Sequence, residues 1–151
     1  MRAQRAPEEY VALVRPRWSD MDVFGHVNHA NMVTLLEEAR VPLLFDKASA
    51  AGLADFAKGI VVVHLTVDYR APVVVDGQDV RVVITLDQLR HASFTLDYAV
   101  HSGPSGDDDV AVTARTVLAP FDVRRGRPRR LTGQEREFLS TVLPSAGADG
   151  A

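Results

Sequence analysis

Segments in which apolar and polar residues alternate fill most of the second half of the chain, and this pattern restricts the fold more than any other feature. Alternation with a period of two is typical of a β-strand that buries one face. Turn sequences such as Asp76-Gly77 separate the segments, which indicates antiparallel strands joined by hairpins. Four strands are predicted here, over residues 60–70, 80–87, 94–100 and 110–121, and in the first of them the odd-numbered residues are expected to face the core.

The first half contains one strand and one long helix. Residues 10–17 alternate like a strand, and Pro16 places that strand at an edge or an end of the sheet. From Asn28 onward the spacing changes to that of an amphipathic helix, for which Asn28 is a suitable N-cap. Pro42 has no backbone N–H to donate, so a break is expected near residues 40–42. The apolar residues with helical spacing are Met32, Leu35, Leu36, Ala39 and Leu43.

This order of elements predicts an α+β domain in which an antiparallel sheet of about five strands wraps around one long helix. A capping-box pattern that begins at Thr132 adds a short C-terminal helix ending near Leu143. The length of 151 residues fits one domain. Its predicted limits are 10–143, with a loose tail over 1–9 and a disordered tail over 144–151. One helix covers only part of such a sheet, so an edge remains open and a homo-oligomer is expected.

Composition and missing motifs exclude several functions. The sequence has no cysteine, so disulfides and a cysteine nucleophile are excluded, and a reducing cytoplasm is the expected location. A net charge of −3 does not favour nucleic acid, and no apolar run is long enough for a membrane span. The motifs of serine hydrolases, zinc proteases and nucleotide-binding loops are absent from the sequence, so no cofactor is predicted.

The loop that leads into the long helix carries the candidate chemistry. A helix N-terminus offers unpaired N–H groups and a partial positive charge, which stabilise negative charge on an oxygen. A carboxylate and an imidazole beside it can act as nucleophile or base and as proton relay. Taken singly, each residue also has a structural reading as a cap, a turn residue or a packed side chain. The ionisable and amide residues of this loop are Asp20, Asp22, His26, Asn28 and His29.

Metal binding is a third reading of the same loop. Asp22, His26 and His29 form an H-x-x-H pattern with one carboxylate, which is a weak zinc signal. No metal site is predicted on this basis.

The run RWSDMDVFGHVNHAN over residues 17–31, followed by LEEAR at 36–40, resembles the signature of hotdog-fold acyl-CoA thioesterases of the 4-hydroxybenzoyl-CoA thioesterase-like group. The similarity extends through VDYRAP at 67–72 and through Ser93 and Phe94, and covers most of residues 10–122. It implies a hotdog fold, an acyl-CoA substrate, and a homodimer or homotetramer with active sites at the subunit interface. Each site would hold the thioester carbonyl at the N-terminus of the long helix.

Carried over residue by residue, the resemblance assigns roles within the loop. Asp22 matches the carboxylate that acts as nucleophile or general base. His26 and His29 match histidines of different members, so both are catalytic candidates and their division of labour stays open. The backbone N–H groups of Asn28, His29 and Ala30 are the candidate oxyanion donors.

Two departures from the family pattern concern the helix. Met32 replaces the usual tyrosine, and Pro42 interrupts a helix that other members continue, so both alter the expected acyl pocket. Glu37 and Arg40 match a common helix pair and are expected to form a structural i,i+3 contact.

Arginines are the candidates for the phosphates of CoA, because a planar guanidinium matches phosphate oxygens. Five arginines fall between residues 124 and 130, a run that is also typical of solvated surface. The predicted CoA-binding residues are Arg70, Arg90, Ser93, Arg124 and Arg125.

Hydrolysis of an acyl-CoA is the predicted reaction. A thiol leaves readily as a thiolate, since its pKa is about 8.5, and Asp22 can either attack the carbonyl or deprotonate a water. A non-catalytic acyl-CoA-binding or regulatory protein and an enoyl-thioester hydratase are the alternatives, because related folds serve several functions. The acyl group is not predicted.

Overall fold

The computed structural model describes residues 7–146, which form one antiparallel sheet curled around a long helix. The strand order is β1-β3-β4-β5-β2, and β6 pairs with the far end of β5. This arrangement confirms the predicted α+β class. The strands are β1 (Val11–Val14), β2 (Ile60–Tyr69), β3 (Val80–Leu89), β4 (Phe94–His101), β5 (Val110–Asp122) and β6 (Arg127–Pro128).

The long helix begins where the sequence predicts but is not broken. It runs as α1 (His29–Val41), a π-helical segment (Pro42–Lys47) and a last α-helical turn (Ala48–Ala50). The predicted break near residues 40–42 is therefore wrong, although the hydrogen bonding does change at Pro42. A proline ring clashes with the carbonyl four residues earlier, and the wider π-helical turn accommodates it without ending the helix.

The core lies between the long helix and the inner face of the sheet. Leu36 and Ala39 of α1 are fully buried, as are Ile84 of β3 and Phe94 and Leu96 of β4. Burial of this apolar face, rather than local helix propensity, is what holds the helix in place.

β2 is an edge strand, and its residues are more exposed than the alternation predicts. Val61 and Val63 are 40% and 58% exposed, so the expectation that both face the core is wrong. A register shift between Val62 and His64 reverses the alternation, and Val62 pairs with the core residue Leu118 instead. Bulges of this kind shift side chains from one face of a strand to the other. Only β5 pairs with β2, so the other side of β2 has no strand beside it in the described chain.

The C-terminal helix (Gly133–Val142) closes one end of the core. The predicted capping box is confirmed, because Thr132 Oγ1 accepts from the Glu135 N–H and Glu135 accepts from the Thr132 N–H. Glu135 is buried and also pairs with Arg129 through two bonds of 2.8 Å. These bonds hold the pKa of Glu135 below its usual range against the opposing effect of burial.

The predicted tails lie partly outside the described residues. Residues 1–6 and 147–151 are not described, and residues 7–10 precede β1 without regular structure. Beyond the C-terminal helix, Pro144 and Ala146 hydrogen-bond to Leu86 of β3. No helix within residues 7–146 is long and apolar enough to cross a membrane.

Candidate active site

Asp22 and His26 sit on a tight turn that the backbone holds firmly. The Asp22 N–H donates to the His26 carbonyl at 2.8 Å, and the Gly25 N–H donates to the Asp22 carbonyl at 3.1 Å. Gly25 has φ = +77°, a conformation that favours glycine, which explains the glycine three residues after Asp22. Val27 is anchored to Val73 by a backbone hydrogen bond of 2.7 Å. The turn is therefore fixed against the segment that follows β2.

The Asp22 carboxylate has one engaged and one unengaged oxygen. Its Oδ1 accepts from the backbone N–H groups of Phe24 and His26, at 2.8 and 3.2 Å. Oδ2 has no hydrogen bond to any described residue, and Asp22 lines a cavity of about 420 Å³. One oxygen orients the side chain and the other is available to react.

Asp20 is a brace for the loop rather than a reactive group. Its carboxylate is buried and accepts three hydrogen bonds from Arg17, from the backbone N–H at 2.7 Å, from Nη2 at 2.9 Å and from Nε at 3.1 Å. Its carbonyl accepts from the Asn28 N–H at 2.7 Å. The Arg17 guanidinium lowers the pKa of Asp20, so this carboxylate stays ionised. The turn-and-cap interpretation of Asp20 is the one that the geometry supports.

The three predicted oxyanion donors differ in what they already bind. The Ala30 N–H donates to the Asn28 side chain at 2.9 Å, and the Asn28 N–H is taken by Asp20. The His29 N–H has no acceptor among the described residues, as expected at the first position of a helix. His29 thus offers the one unengaged donor of the three.

The cavity brings the predicted catalytic side chains together with groups that the sequence did not single out. His26 and His29 both line it, and the buried side chain of Met32 contributes to its wall. Neither imidazole hydrogen-bonds to Asp22 within residues 7–146, so no carboxylate–histidine dyad is formed. Tyr69 also lines the cavity and donates its hydroxyl hydrogen to the His29 carbonyl. Sequence reasoning recognised Tyr69 only as part of a motif, because its contact with the helix depends on sheet geometry.

The predicted CoA-binding residues are not gathered at this cavity. Arg70 lines it, but Ser93 and Arg90 lie in the β3–β4 hairpin. Phe94, next to the hairpin, pairs with Leu118 of β5, whereas Tyr69 pairs with Val112 of the same strand. The stretch of β5 between Val112 and Leu118 is about 20 Å long, and this distance separates the hairpin from the Tyr69 end of β2.

The remaining two CoA-binding candidates, Arg124 and Arg125, lie in the β5–β6 turn. Both backbone N–H groups donate to Asp122, and the Arg125 guanidinium pairs with the same carboxylate at 3.7 Å. Arg129 of the same basic run is committed to Glu135. Of the five candidates, therefore, only Arg70 lines the cavity of Asp22, His26 and His29 within the described chain.

One expected side-chain pair of the long helix has a clear outcome. Glu37 and Arg40 form neither a hydrogen bond nor a salt bridge, and the Arg40 guanidinium instead donates to the hydroxyl of Tyr98, at 3.4 Å. Among the described residues, no three histidine, aspartate or glutamate side chains are placed to hold one metal ion.

Comparison with known proteins decides the family. The model of the thioesterase-like superfamily matches residues 16–139, which include the turn, the long helix and all the main strands except β1. The chain belongs to this superfamily. Membership confirms the resemblance inferred from the loop motif, the hotdog class and the prediction of a thioesterase.

Individual relatives of this thioesterase agree with that assignment. The long-chain acyl-CoA thioesterase FadM of Escherichia coli is 28% identical over 130 residues, covering 86% of this chain and 96% of FadM. A thioesterase of Thermus thermophilus crystallised with coenzyme A and Zn is 26% identical, with a TM-score of 0.68 over 85% of this chain and 90% of that one. A predicted thioesterase of Bacillus stearothermophilus, 24% identical, shares the fold with a TM-score of 0.74 over 90% and 98%.

Proposed function

We propose that this thioesterase hydrolyses acyl-CoA thioesters to CoA and a free carboxylic acid at the cavity beside the long helix. The observation that carries the proposal is the unengaged Oδ2 of Asp22, held on a rigid turn that lines the same cavity as His29. The name of FadM, an acyl-CoA thioesterase, and the CoA bound to the Thermus thermophilus relative favour a CoA ester as substrate.

The chemistry requires few groups. As the thioester carbonyl becomes tetrahedral, negative charge on its oxygen is stabilised by the His29 N–H and the helix N-terminus, and one such donor is typically worth about 10²- to 10³-fold in rate. The C–S bond then breaks and CoA leaves as a thiolate, without strong acid assistance. His26 and His29 stand at the cavity as groups that can move a proton to or from water.

Asp22 can act by two routes that differ in which bond forms first. Its Oδ2 can attack the carbonyl carbon and give a mixed anhydride that water hydrolyses, or it can take a proton from a water that attacks directly. A single turnover in water enriched in ¹⁸O tests for the anhydride. Label found in the Asp22 carboxylate identifies the anhydride route, because only water that attacks the Asp22 carbonyl of the anhydride puts it there, whereas direct attack labels the product acid alone.

The open edge of β2 supports a homodimer. No strand of the described chain pairs with the second side of this ten-residue strand, and exposed valines, Val61, Val62 and Val63, flank that edge. Long apolar edges are normally covered by another strand. Pairing with a second copy about a two-fold axis would run the two β2 strands antiparallel and place the Ile60 end of each beside the Tyr69 end of the other.

This arrangement would complete the substrate site. The β3–β4 hairpin with Arg90 and Ser93, and the β5–β6 turn with Arg124 and Arg125, lie toward the Ile60 end of the sheet. A second copy would therefore bring these groups toward the Asp22 cavity, where Arg70 already stands. The phosphates of CoA would then contact arginines of both subunits, with the active site at their interface. Further pairing of dimers into a tetramer is compatible with this arrangement.

The test is thiol release from a panel of short, long and aromatic acyl-CoAs, with crotonyl-CoA hydration and acyl-CoA binding measured on the same sample. Hydrolysis of at least one ester, without hydration, is the expected result. Hydration of crotonyl-CoA without thiol release would identify a hydratase. Tight binding without turnover would identify a regulatory acyl-CoA-binding protein and overturn the proposal. A cytoplasmic location, consistent with the lack of cysteine, is proposed with it.

A further inference from the structure

Tyr69 contacts the start of the long helix in two ways. It is the last residue of β2, and its hydroxyl donates to the main-chain carbonyl of His29. Its ring also packs edge-on against the His29 imidazole, with ring centroids 6.5 Å apart and planes at 81°. One side chain therefore restrains both the backbone and the ring of the first helical residue.

The restraint acts on the residue whose N–H is unengaged. An oxyanion donor is effective only when its N–H already points at the position where charge develops. The His29 N–H has no acceptor within residues 7–146 to hold it, and helix ends tend to fray. A carbonyl has two lone pairs, so the Tyr69 bond adds to the bond that the helix itself makes to the His29 carbonyl.

Tyr69 is itself anchored on the sheet. It pairs with Val112 of β5, and the next two backbone N–H groups, of Arg70 and Ala71, both donate to the Ala111 carbonyl, at 2.9 and 3.0 Å. Partial burial raises the pKa of the Tyr69 phenol, so the hydroxyl keeps its proton at neutral pH and remains a donor. The helix start is thus tied through one protonated hydroxyl to the end of a hydrogen-bonded strand.

We propose that Tyr69 is a positioning residue, which fixes His29 so that its backbone N–H meets the substrate oxygen. Its effect on turnover rests on the proposed thioesterase function, whereas its effect on the His29 backbone does not. Tyr69 acts through His29 and takes no proton from the substrate.

The test compares Tyr69→Phe with Tyr98→Phe. Tyr98 supplies a matched control, because its hydroxyl also hydrogen-bonds, with Thr116 Oγ1 at 2.9 Å and with the Arg40 guanidinium at 3.4 Å, but lies in the core and does not line the Asp22 cavity. Both variants remove one hydroxyl and keep the ring, and both are checked for their unfolding temperature and oligomeric state.

For Tyr69→Phe, we expect kcat to fall about 10-fold or more, less than the 10²- to 10³-fold typical of a deleted donor. KM should stay within about twofold, because the interaction is gained in the transition state. The shape of the pH–rate profile should not change. Tyr98→Phe should lower the unfolding temperature and leave kcat unchanged.

An equal loss of kcat in both variants, or none in Tyr69→Phe, would overturn the proposal. So would disappearance of the alkaline limb of the pH profile, since that would make Tyr69 a proton donor. The NMR chemical shift of the His29 amide provides a second measurement that does not depend on activity. It should change in Tyr69→Phe and not in Tyr98→Phe. If the wild-type enzyme released no thiol, the proposed function would fail, and the amide signal would still decide the positioning claim.

Discussion

Replacing Asn28 by aspartate should separate the stability of this protein from its activity. The Asn28 side chain caps the long helix through a 2.9 Å bond from the Ala30 N–H, and aspartate can make the same bond. A carboxylate at a helix N-terminus is also favoured by the helix dipole, by about 0.3–1 kcal/mol. Asn28→Asp should therefore unfold at the same temperature as the wild type or slightly above it.

Activity should change in the opposite direction. The new charge lies one residue before the His29 N–H, next to the oxygen that becomes negative in the reaction. Two unit charges about 6 Å apart repel by about 3 kcal/mol at an effective dielectric constant of about 20, and by less where water screens them. A rise of about 1–3 kcal/mol in the barrier corresponds to a loss of about 5- to 160-fold in kcat.

Asn28→Ala is the companion variant, because it removes the cap without adding charge. It should cost about 1 kcal/mol of stability, or about 3 °C in unfolding temperature, with a smaller effect on kcat. Thermal unfolding and thiol release are measured for both variants, and the kcat of each variant is taken at the pH where that variant is most active. Wild-type turnover in a stable Asn28→Asp enzyme would mean that the helix N-terminus does not face the developing charge.

Two further predictions concern the Asp20–Arg17 ion pair and the exposed edge of β2. Because the pKa of Asp20 is lowered in the folded state, its ion pair with Arg17 stabilises the fold above the unfolded pKa of about 4, and this contribution disappears as the pH falls through the lower folded value. Asp20→Asn should thus lower the unfolding temperature at pH 7, and the deficit should shrink as the pH falls below the unfolded pKa, so a deficit that does not change with pH would contradict this. Val63→Lys, on the exposed edge of β2, should shift the protein toward monomer in sedimentation and reduce thiol release. Leu13→Lys, 58% exposed on β1 at the opposite edge of the sheet, is its control, and an unchanged assembly in Val63→Lys would argue against the β2 interface.

Local patterns predicted much of the fold. The sequence predicted the cap at Asn28, the capping box at Thr132 and the hairpin strands, because each depends on residues close together in the chain. The sequence did not predict that the helix continues through Pro42, since a proline marks the clash with the preceding turn but not whether the helix ends there or widens to accommodate it. The reversed alternation in β2 depends on a bulge, which a period-two pattern does not reveal.

In the candidate site too, contacts between residues near in sequence were predicted and contacts between distant segments were not. Asp22, His26 and His29 lie within one loop, so their proximity followed from spacing. Tyr69 comes from the far end of a strand, and only the pairing of β2 with β5 places it beside His29. Arg40 likewise reaches Tyr98 across the core, which a pairing rule within one helix could not predict. Contacts between distant segments are what sequence reasoning missed.

The role of Asp22 is tested most directly by the kcat for thiol release of Asp22→Asn. Asparagine retains an Oδ1 acceptor for the turn, so the loop should keep its shape while the reactive oxygen is lost. Asp76→Asn is the matched control, because Asp76 makes the same kind of turn contact, with the Gln78 N–H at 3.0 Å, and does not line the cavity. We predict a loss of at least about 10³-fold for Asp22→Asn and none for Asp76→Asn. Wild-type turnover in a folded Asp22→Asn enzyme would contradict the account.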